Sequence, residues 1–208
     1  MTTKDFIIRY FTKFGEPTSK MECENVEEYY VQFWERELLR IEENYKNNVI
    51  TSISYYLDAG EQVSEYLNLK KVKVITIYSN PIYHFHYKQY DVETYIDNEL
   101  KNRRLQVLTK NYCSVYDKSF DVLTGNVNYF EKNCYNEEFN LTYEFEYDEK
   151  GLFKRLTIYD PENIVDTDEH TIYPQTIGVG KNDYNFEWKD FEYFQNEEPI
   201  LPERSYCW

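Results

Sequence analysis

The chain has 208 residues, of which 19% are aromatic, and a formal net charge of −15 from 38 acidic and 23 basic side chains. This length allows one domain to bury its own core, and the abundance of tyrosine favours half-buried β-strands. So large a negative charge would repel nucleic-acid phosphates and anionic membranes, so we expect neither as a partner. It would attract a basic protein, although a negative surface also keeps proteins soluble.

The first predicted element is a short helix within residues 1–15. Apolar side chains recur there at spacings of three and four, and Gly15 would end the helix. The residues that set this spacing are Phe6, Ile7, Tyr10, Phe11 and Phe14. We therefore expect one amphipathic helix before the first strand.

Residues 26–160 are predicted to form a meander of antiparallel hairpins. Residues 26–45 fit either a helix or two strands, and the alternation of Tyr29, Val31 and Phe33 favours strands. The predicted fold class is all-β or β-rich α+β. It consists of successive hairpins in one large twisted sheet that follows the short N-terminal helix.

The middle of the meander contains three further predictions. Residues 49–57 alternate as a half-buried strand, and residues 63–69 are expected to be its return strand. Residues 72–78 are apolar on both faces, which is typical of a central strand covered on both sides. Residues 95–100 and 104–109 form a candidate hairpin, although residues 92–108 also fit a short charged helix.

The clearest hairpin covers residues 143–160. Alternation places the aromatic residues of its first strand on one face and the acids between them on the other. On the return strand, Leu152 is expected to share a face with Leu156, and Phe153 is expected to point the other way. The hairpin is therefore predicted to be half-buried.

The last quarter of the chain is expected to be less regular. Residues 161–182 are interrupted by Pro and Gly and are predicted to form an irregular connection. Residues 183–194 alternate as a final strand, in which the switch to Phe191 and Tyr193 indicates a β-bulge. An extended tail follows, so that residues 1–208 would form a single domain.

Two segments share one order of residues: an aromatic residue, a polar turn, an aliphatic residue, a short spacer, a second aliphatic residue and an aromatic residue. They are Glu43–Tyr56 and Glu146–Asp160, and residues 95–100 repeat the first half. These segments resemble the hairpin-repeat, MORN-like antitoxin and immunity proteins of the YwqK type, whose turns usually carry Asn-Gly instead. The resemblance implies a stacked antiparallel sheet and a role in binding and silencing a toxin.

The sequence contains no catalytic motif, so we expect neither an enzyme nor a cofactor. His84 and His86 would share one strand face, a spacing that suits a metal ion if a third ligand were near. His170 is the remaining histidine. Two surface histidines are the favoured interpretation, and no metal site is predicted.

A partner-binding surface is predicted within residues 183–198, where acids alternate with aromatic rings. Rings supply desolvated contact area, and acids pair with Lys or Arg of a partner. The predicted contact residues are Asp183, Tyr184, Glu187, Trp188, Asp190, Glu192 and Tyr193. The alternative is an ordinary strand with its rings in the core and its acids in water. Exposure of Trp188 distinguishes the two.

These features favour a cytoplasmic immunity or antitoxin protein that neutralises a basic toxin through an acidic, aromatic surface. The N-terminus has no signal-peptide pattern, and no segment approaches the roughly 20 apolar residues that span a bilayer. The four cysteines form no Cys-x-x-Cys pair. The alternative function is a non-catalytic β domain whose exposed rings stack on a small ligand or a carbohydrate.

Overall fold

The computed structural model describes residues 6–138, 140–159 and 171–203. Over these residues, thirteen strands form one mostly antiparallel sheet, which confirms the predicted β-rich meander of hairpins. The strands are β1 (Ile7–Thr12), β2 (Pro17–Thr18), β3 (Glu28–Glu35), β4 (Leu38–Lys46), β5 (Val49–Tyr56), β6 (Val74–His84), β7 (Tyr87–Ile96), β8 (Glu99–Thr109), β9 (Ser114–Phe120), β10 (Val127–Tyr135), β11 (Leu141–Tyr147), β12 (Phe153–Ile158) and β13 (Thr171–Ile172). The helical elements are α1 (Lys20–Cys23), α2 (Val63–Tyr66) and the 3-10 turns Pro174–Thr176 and Glu192–Phe194.

The strands from β3 to β13 follow one another across the sheet in chain order, and β1 lies between β3 and β2. The residues group into two compact units. Unit 1 comprises Met1–Pro81 and Asp91–Arg103, and unit 2 comprises Ile82–Tyr90 and Arg104–Trp208. The assignment of the whole chain to a single domain stays a prediction.

The predicted helix within residues 1–15 is wrong for the part that the structure describes, because residues 7–12 form strand β1; residues 1–5 lie outside the described ranges. This strand pairs antiparallel with β3 along its whole length, with Ile7 opposite Trp34. Isoleucine and aromatic side chains favour strands, and so short a helix is marginal in water. Backbone bonding to β3 therefore decides the conformation, and the helical spacing of the rings is incidental.

Two stretches that fit either a helix or strands are strands. Residues 26–45 contain β3 and β4, and residues 92–108 lie in β7 and β8. The β7–β8 turn contains Asp97 and Asn98, whose φ values of 52° and 64° are left-handed. Asp and Asn tolerate this conformation better than other non-glycine residues, and tight hairpin turns require it. The turn chemistry therefore agrees with the hairpin.

Strand β5 is followed by a crossover and not by the predicted return strand at residues 63–69. Its neighbour β6 runs parallel to it, and parallel neighbours need a connection of a dozen or more residues. Residues 57–73 supply that connection and contain α2. Val63 and Tyr66 of α2 pack against the buried residues of β5 and β6. Covering this apolar face stabilises a short helix where a strand was expected.

The crossover is held by a buried arginine of β4. The guanidinium of Arg40 lies 2.6 Å from a carboxylate oxygen of Asp58 and 2.6 Å from one of Glu61. Glu35 lies further away, at 3.7 Å. A buried guanidinium requires several acceptors, and these carboxylates fix the start of the connection against the sheet.

The β11–β12 hairpin confirms the faces predicted for its first strand, whose aromatic residues enter the core of unit 2. The return strand differs, because the register shifts between Glu146 and Tyr147. Phe153 therefore packs on the core, while Leu152 is 58% exposed. One extra residue in a strand reverses the faces taken by the residues before it, so the prediction for these two residues is wrong.

Residues 183–194 do not form the predicted final strand. They fold as turns and bends that lead into the 3-10 turn at Glu192–Phe194. Asn185 and Asp190 have positive φ values of 50° and 69°, which interrupt the extended backbone that an alternating pattern assumes. The switch in the apolar pattern therefore reflects turns and not a β-bulge.

The predicted irregular connection at residues 161–182 lies partly outside the described residues, which resume at position 171. From there β13 and a 3-10 turn interrupt an otherwise irregular stretch. The end of the predicted tail, residues 204–208, also lies outside the described part. Within the described ranges, no helix has the length and apolar character needed to cross a membrane.

Candidate functional site

The predicted partner-binding residues lie on a stretch that packs on the core of unit 2, residues 183–198, which we call the C-terminal segment. Five of the seven are exposed: Asp183, Tyr184, Glu187, Asp190 and Glu192. Trp188 is half-buried, and Tyr193 is only 2% exposed. The four acids among the predicted residues therefore face outward, while these two rings belong largely to the core.

Trp188 packs against aromatic residues of the sheet. Its ring centroid lies 5.0 Å from that of Phe153 in an edge-to-face arrangement and 6.1 Å from that of Phe145. Phe186 of the same segment lies 5.5 Å away. Such pairs contribute about 0.5–1.5 kcal/mol each beyond the burial of area. The rings of Trp188 and Phe186 therefore pack in the core, as the alternative interpretation expected. They hold in place a backbone that carries exposed acids.

The segment is fastened by a lysine in the core. Lys132 of β10 is 0% exposed, and its ammonium donates hydrogen bonds to the backbone carbonyls of Tyr193, Asn196 and Pro199 at 2.8, 2.8 and 3.2 Å. The same nitrogen lies 3.8 Å from the centre of the Tyr193 ring. An ammonium has three donors, and three carbonyls accept them here.

Burial lowers the pKa of Lys132 to about 7, and the negative charges of Glu198 and Glu197 oppose this shift. The carbonyl oxygens offset part of the cost of removing the charge from water. One feature of the sequence indicates this role. Lys132 lies between Phe130 and Cys134 at alternate positions, and the three residues share the core face of β10.

We expect Lys132→Met to lower the free energy of unfolding by about 3 kcal/mol, because it leaves three carbonyl groups without their donor. Urea unfolding measures the loss, and amide hydrogen exchange of residues 186–196 shows whether the segment opens first. Lys189→Met is the matched control, since Lys189 is exposed on the same segment. Equal stability of the two variants would contradict a fastening role for Lys132.

A row of acids crosses the other face of the same strands. Asp117 of β9 lies opposite Glu131 of β10, and Glu131 lies opposite Glu146 of β11. Directly opposite side chains have Cβ atoms about 5 Å apart, and like charges in these positions destabilise a sheet. We call these three residues the carboxylate row.

Both ends of the carboxylate row are compensated by other side chains. Asp117 accepts hydrogen bonds from Arg104 at 3.1 Å and from the amide of Gln106 at 2.7 Å. At the other end, Arg155 of β12 donates to Glu146 at 2.6 Å. Burial nevertheless raises the pKa of Asp117, with the charge of Arg104 acting against it.

The centre of the row is Glu131, which is half-buried and accepts a hydrogen bond from the amide of Asn133 at 2.9 Å. Burial raises the pKa of Glu131 to about 7, the Asn133 hydrogen bond opposes the rise, and the neighbouring carboxylates of Glu144, Asp117 and Glu146 add to it. Near neutral pH this group is therefore partly protonated, and a nearby positive charge would favour its ionised form.

Three buried oxygens beside the row accept no hydrogen bond from any residue in the described ranges. They are Oε1 of Gln106, Oδ1 of Asp117 and Oδ1 of Asn133, and their side chains are 6%, 7% and 4% exposed. Nε of Arg104 is a buried donor that likewise finds no acceptor among the described residues. An unsatisfied buried polar atom costs about 1–3 kcal/mol. The site thus offers more acceptors than donors, which suits a cationic donor.

Sequence reasoning missed the carboxylate row. The signal was present in part, because Glu131 and Asn133 fall on the polar phase of β10, between its core residues. Bringing Asp117 and Glu146 beside them depends on the register of β9 and β11, which a single sequence does not specify. The large number of acids in the chain gave no reason to select these.

We expect Glu131→Gln to stabilise the protein above neutral pH and to have little effect near pH 4. The raised pKa means that the folded state disfavours the ionised carboxylate, so stability is highest below the ordinary pKa of 4.5 and falls as pH rises through about 7. Glutamine avoids this loss and still accepts from Asn133. Urea unfolding at pH 4 and pH 8 should give a difference of roughly 1–3 kcal/mol at pH 8 only; the same difference at both values would exclude an electrostatic origin.

The two histidines do not share a strand face as predicted. His84 is the last residue of β6, while His86 lies in the turn before β7 and is exposed. Phe85 between them has a positive φ of 51°, which reverses the chain. Over the residues that the structure describes, no group of three or more His, Cys, Asp or Glu side chains is arranged to hold a metal ion.

Unit 1 contains a cleft of about 520 Å³ between β1, β3, β4 and α1. Tyr29 and Tyr45 stack in its wall with ring centroids 4.7 Å apart. Tyr10, Lys20 and Asn48 also line it. Aromatic walls with a few polar groups are typical of sites for small ligands.

Comparison of this chain with protein-family models, with curated proteins and with solved structures finds no match in any of the three.

Proposed function

We propose that the protein is a cytoplasmic immunity or antitoxin protein, without catalytic activity, that binds and neutralises a basic toxin. The observation that carries the proposal is the C-terminal segment, in which Asp183, Glu187, Asp190 and Glu192 are exposed while five of its six rings pack on the core. A fixed surface loses little conformational freedom when it binds, which favours affinity. Opposite charges on the two proteins accelerate their encounter.

The charge of the whole chain supports the same partner. A formal charge of −15 gives the protein a field that attracts cations over a distance of about one Debye length. The hairpin resemblance of Glu43–Tyr56 and Glu146–Asp160 to antitoxin repeats points in the same direction. A toxin that acts on nucleic acid is basic where it binds its substrate, and such a surface matches an acidic inhibitor.

Co-expression with the product of each neighbouring open reading frame tests the proposal. One product should be toxic alone, be neutralised by this protein and co-elute with it at one-to-one stoichiometry. Neutralising the acids of the segment should reduce the association rate about tenfold at low salt. The variant carries Asp183→Asn, Glu187→Gln, Asp190→Asn and Glu192→Gln.

The control neutralises four exposed acids of unit 1 instead, so its net charge equals that of the segment variant. It carries Glu24→Gln, Glu27→Gln, Glu65→Gln and Asp97→Asn. We expect it to protect cells as the unsubstituted protein does. Absence of any toxic, protected gene product would contradict the proposed function, and equal loss in both variants would contradict the segment as the contact surface.

The unit 1 cleft favours a second candidate function, the binding of a small ligand or carbohydrate. Its stacked tyrosines offer a ring face, and Lys20 and Asn48 offer hydrogen bonds to a sugar. No toxin partner is required for this function.

A thermal-shift screen with mono- and disaccharides tests the second candidate, because a ligand that binds only the folded state raises its melting temperature. A ligand at one hundred times its Kd should add about 2.7 kcal/mol of stability. Lys20→Met should reduce the shift, and Lys189→Met in unit 2 should leave it unchanged. A screen without any shift would argue against the cleft as a ligand site.

A further inference from the structure

We propose that the carboxylate row binds the ammonium group of a lysine side chain from a basic protein segment, at a site separate from the C-terminal segment. The two sites lie on opposite faces of the same strands, because Lys132, which fastens the segment, alternates with Glu131 and Asn133 along β10. The proposal does not depend on the immunity function.

The acceptors of the site form one connected group. The Gln106 amide donates to Asp117, Asp117 lies directly opposite Glu131, and the Asn133 amide donates to Glu131. Each of the three buried side chains in this group keeps one oxygen that accepts no hydrogen bond within the described residues. Three strands, β8, β9 and β10, therefore bring these acceptor groups together on one face of the sheet.

The charge of the row is compensated only in part by its described ion pairs. Arg104 pairs with Asp117, and Arg155 and Lys154 both pair with Glu146, so these cations lie at the two ends of the row. The central carboxylate, Glu131, is held by an amide and faces an acid on each neighbouring strand. Within the described ranges no ion pair is made with Glu131 itself, so a further positive charge at the centre would meet an unpaired carboxylate.

The kind of cation follows from the geometry of the acceptors. An ammonium is a compact charge with three donors, which suits acceptors that converge from separate strands, whereas a guanidinium is a planar fork that suits one bidentate carboxylate. Arg155 already donates from Nε and from a terminal nitrogen to one oxygen of Glu146, Oε1. Glu131 is half-buried, so a lysine that approaches from solvent would meet its carboxylate first.

Unit 1 offers a matched comparison in Glu42 of β4. Burial raises the pKa of Glu42, and the amide of Gln32 donates to it at 2.8 Å, as Asn133 does to Glu131. The residues that lie opposite Glu42 are Gln32 and Ser54, which carry no charge. Glu42→Gln therefore removes one half-buried carboxylate that accepts a hydrogen bond from an amide and that has no acid opposite it.

The test measures binding of a fluorescently labelled hexalysine peptide by anisotropy at low and at physiological salt. Glu131→Gln should weaken binding about tenfold, while Glu42→Gln, with the same net charge, should weaken it less than about twofold. Carbodiimide coupling of the bound peptide, followed by mass spectrometry, should find its lysines joined to Glu131 or Glu146.

Three outcomes would overturn the proposal. The first is equal weakening by the two substitutions, since the peptide would then respond only to the overall charge. The second is coupling confined to acids of the C-terminal segment. The third is that hexaarginine binds as tightly as hexalysine and loses the same affinity in Glu131→Gln, because the site would then show no preference for lysine.

A stability measurement separates binding from a structural role. If Glu131 served the fold, Glu131→Gln would lower both stability and binding. The proposal instead requires that the variant remain folded with unchanged or greater urea resistance at pH 8 and still bind the peptide more weakly. Loss of both properties together would overturn it.

Discussion

The ammonium of Lys132, buried in the core of unit 2, is the interaction on which that unit depends. It lies in a cross-strand row between Tyr116 and Phe145, where an apolar side chain would be expected. Backbone carbonyls of a segment more than sixty residues away satisfy its donors. A charge buried in this way costs several kcal/mol unless each donor finds its acceptor. The sheet and the segment therefore stabilise each other, although the segment contains no strand of its own.

Fastening the segment to one face of β9–β12 determines what the other face can carry. Along a strand, each residue that enters the core is followed by one that points away from it, so the alternation that places Lys132 in the core places Glu131 and Asn133 on the opposite, polar face. Facing acids and unsatisfied acceptors on that side reduce stability. A fold retains such a cost where the residues serve binding, because sites for ligands and stability often make opposite demands.

The sequence predicted the hairpins of the meander well, but it placed a helix where β1 lies and a strand where α2 lies. Alternation and turn chemistry identified the hairpins, because both are local and both repeat along the chain. The pattern also failed at Leu152, where a register shift reverses the faces of the strand. It failed across residues 183–194 as well, where residues with positive φ turn the chain. The exposed acids of the C-terminal segment follow from the sequence. The carboxylate row does not, since it requires the register of three strands, and neither do the distant carbonyl partners of Lys132.

The two acidic surfaces of unit 2 differ in how they act on a cation. Exposed acids such as Glu187 and Asp190 attract a basic protein from a distance, but salt screens them over about 8 Å at physiological ionic strength. The half-buried carboxylate of Glu131 is screened far less, and it interacts strongly only with a donor that enters hydrogen-bond distance. In the proposed complexes, surface charge would govern how fast a basic partner arrives, whereas the buried acceptor group would govern which side chain is retained. A chain with a charge of −15 attracts many cations, so the proposed preference for lysine rests on the buried geometry that β8, β9 and β10 bring together.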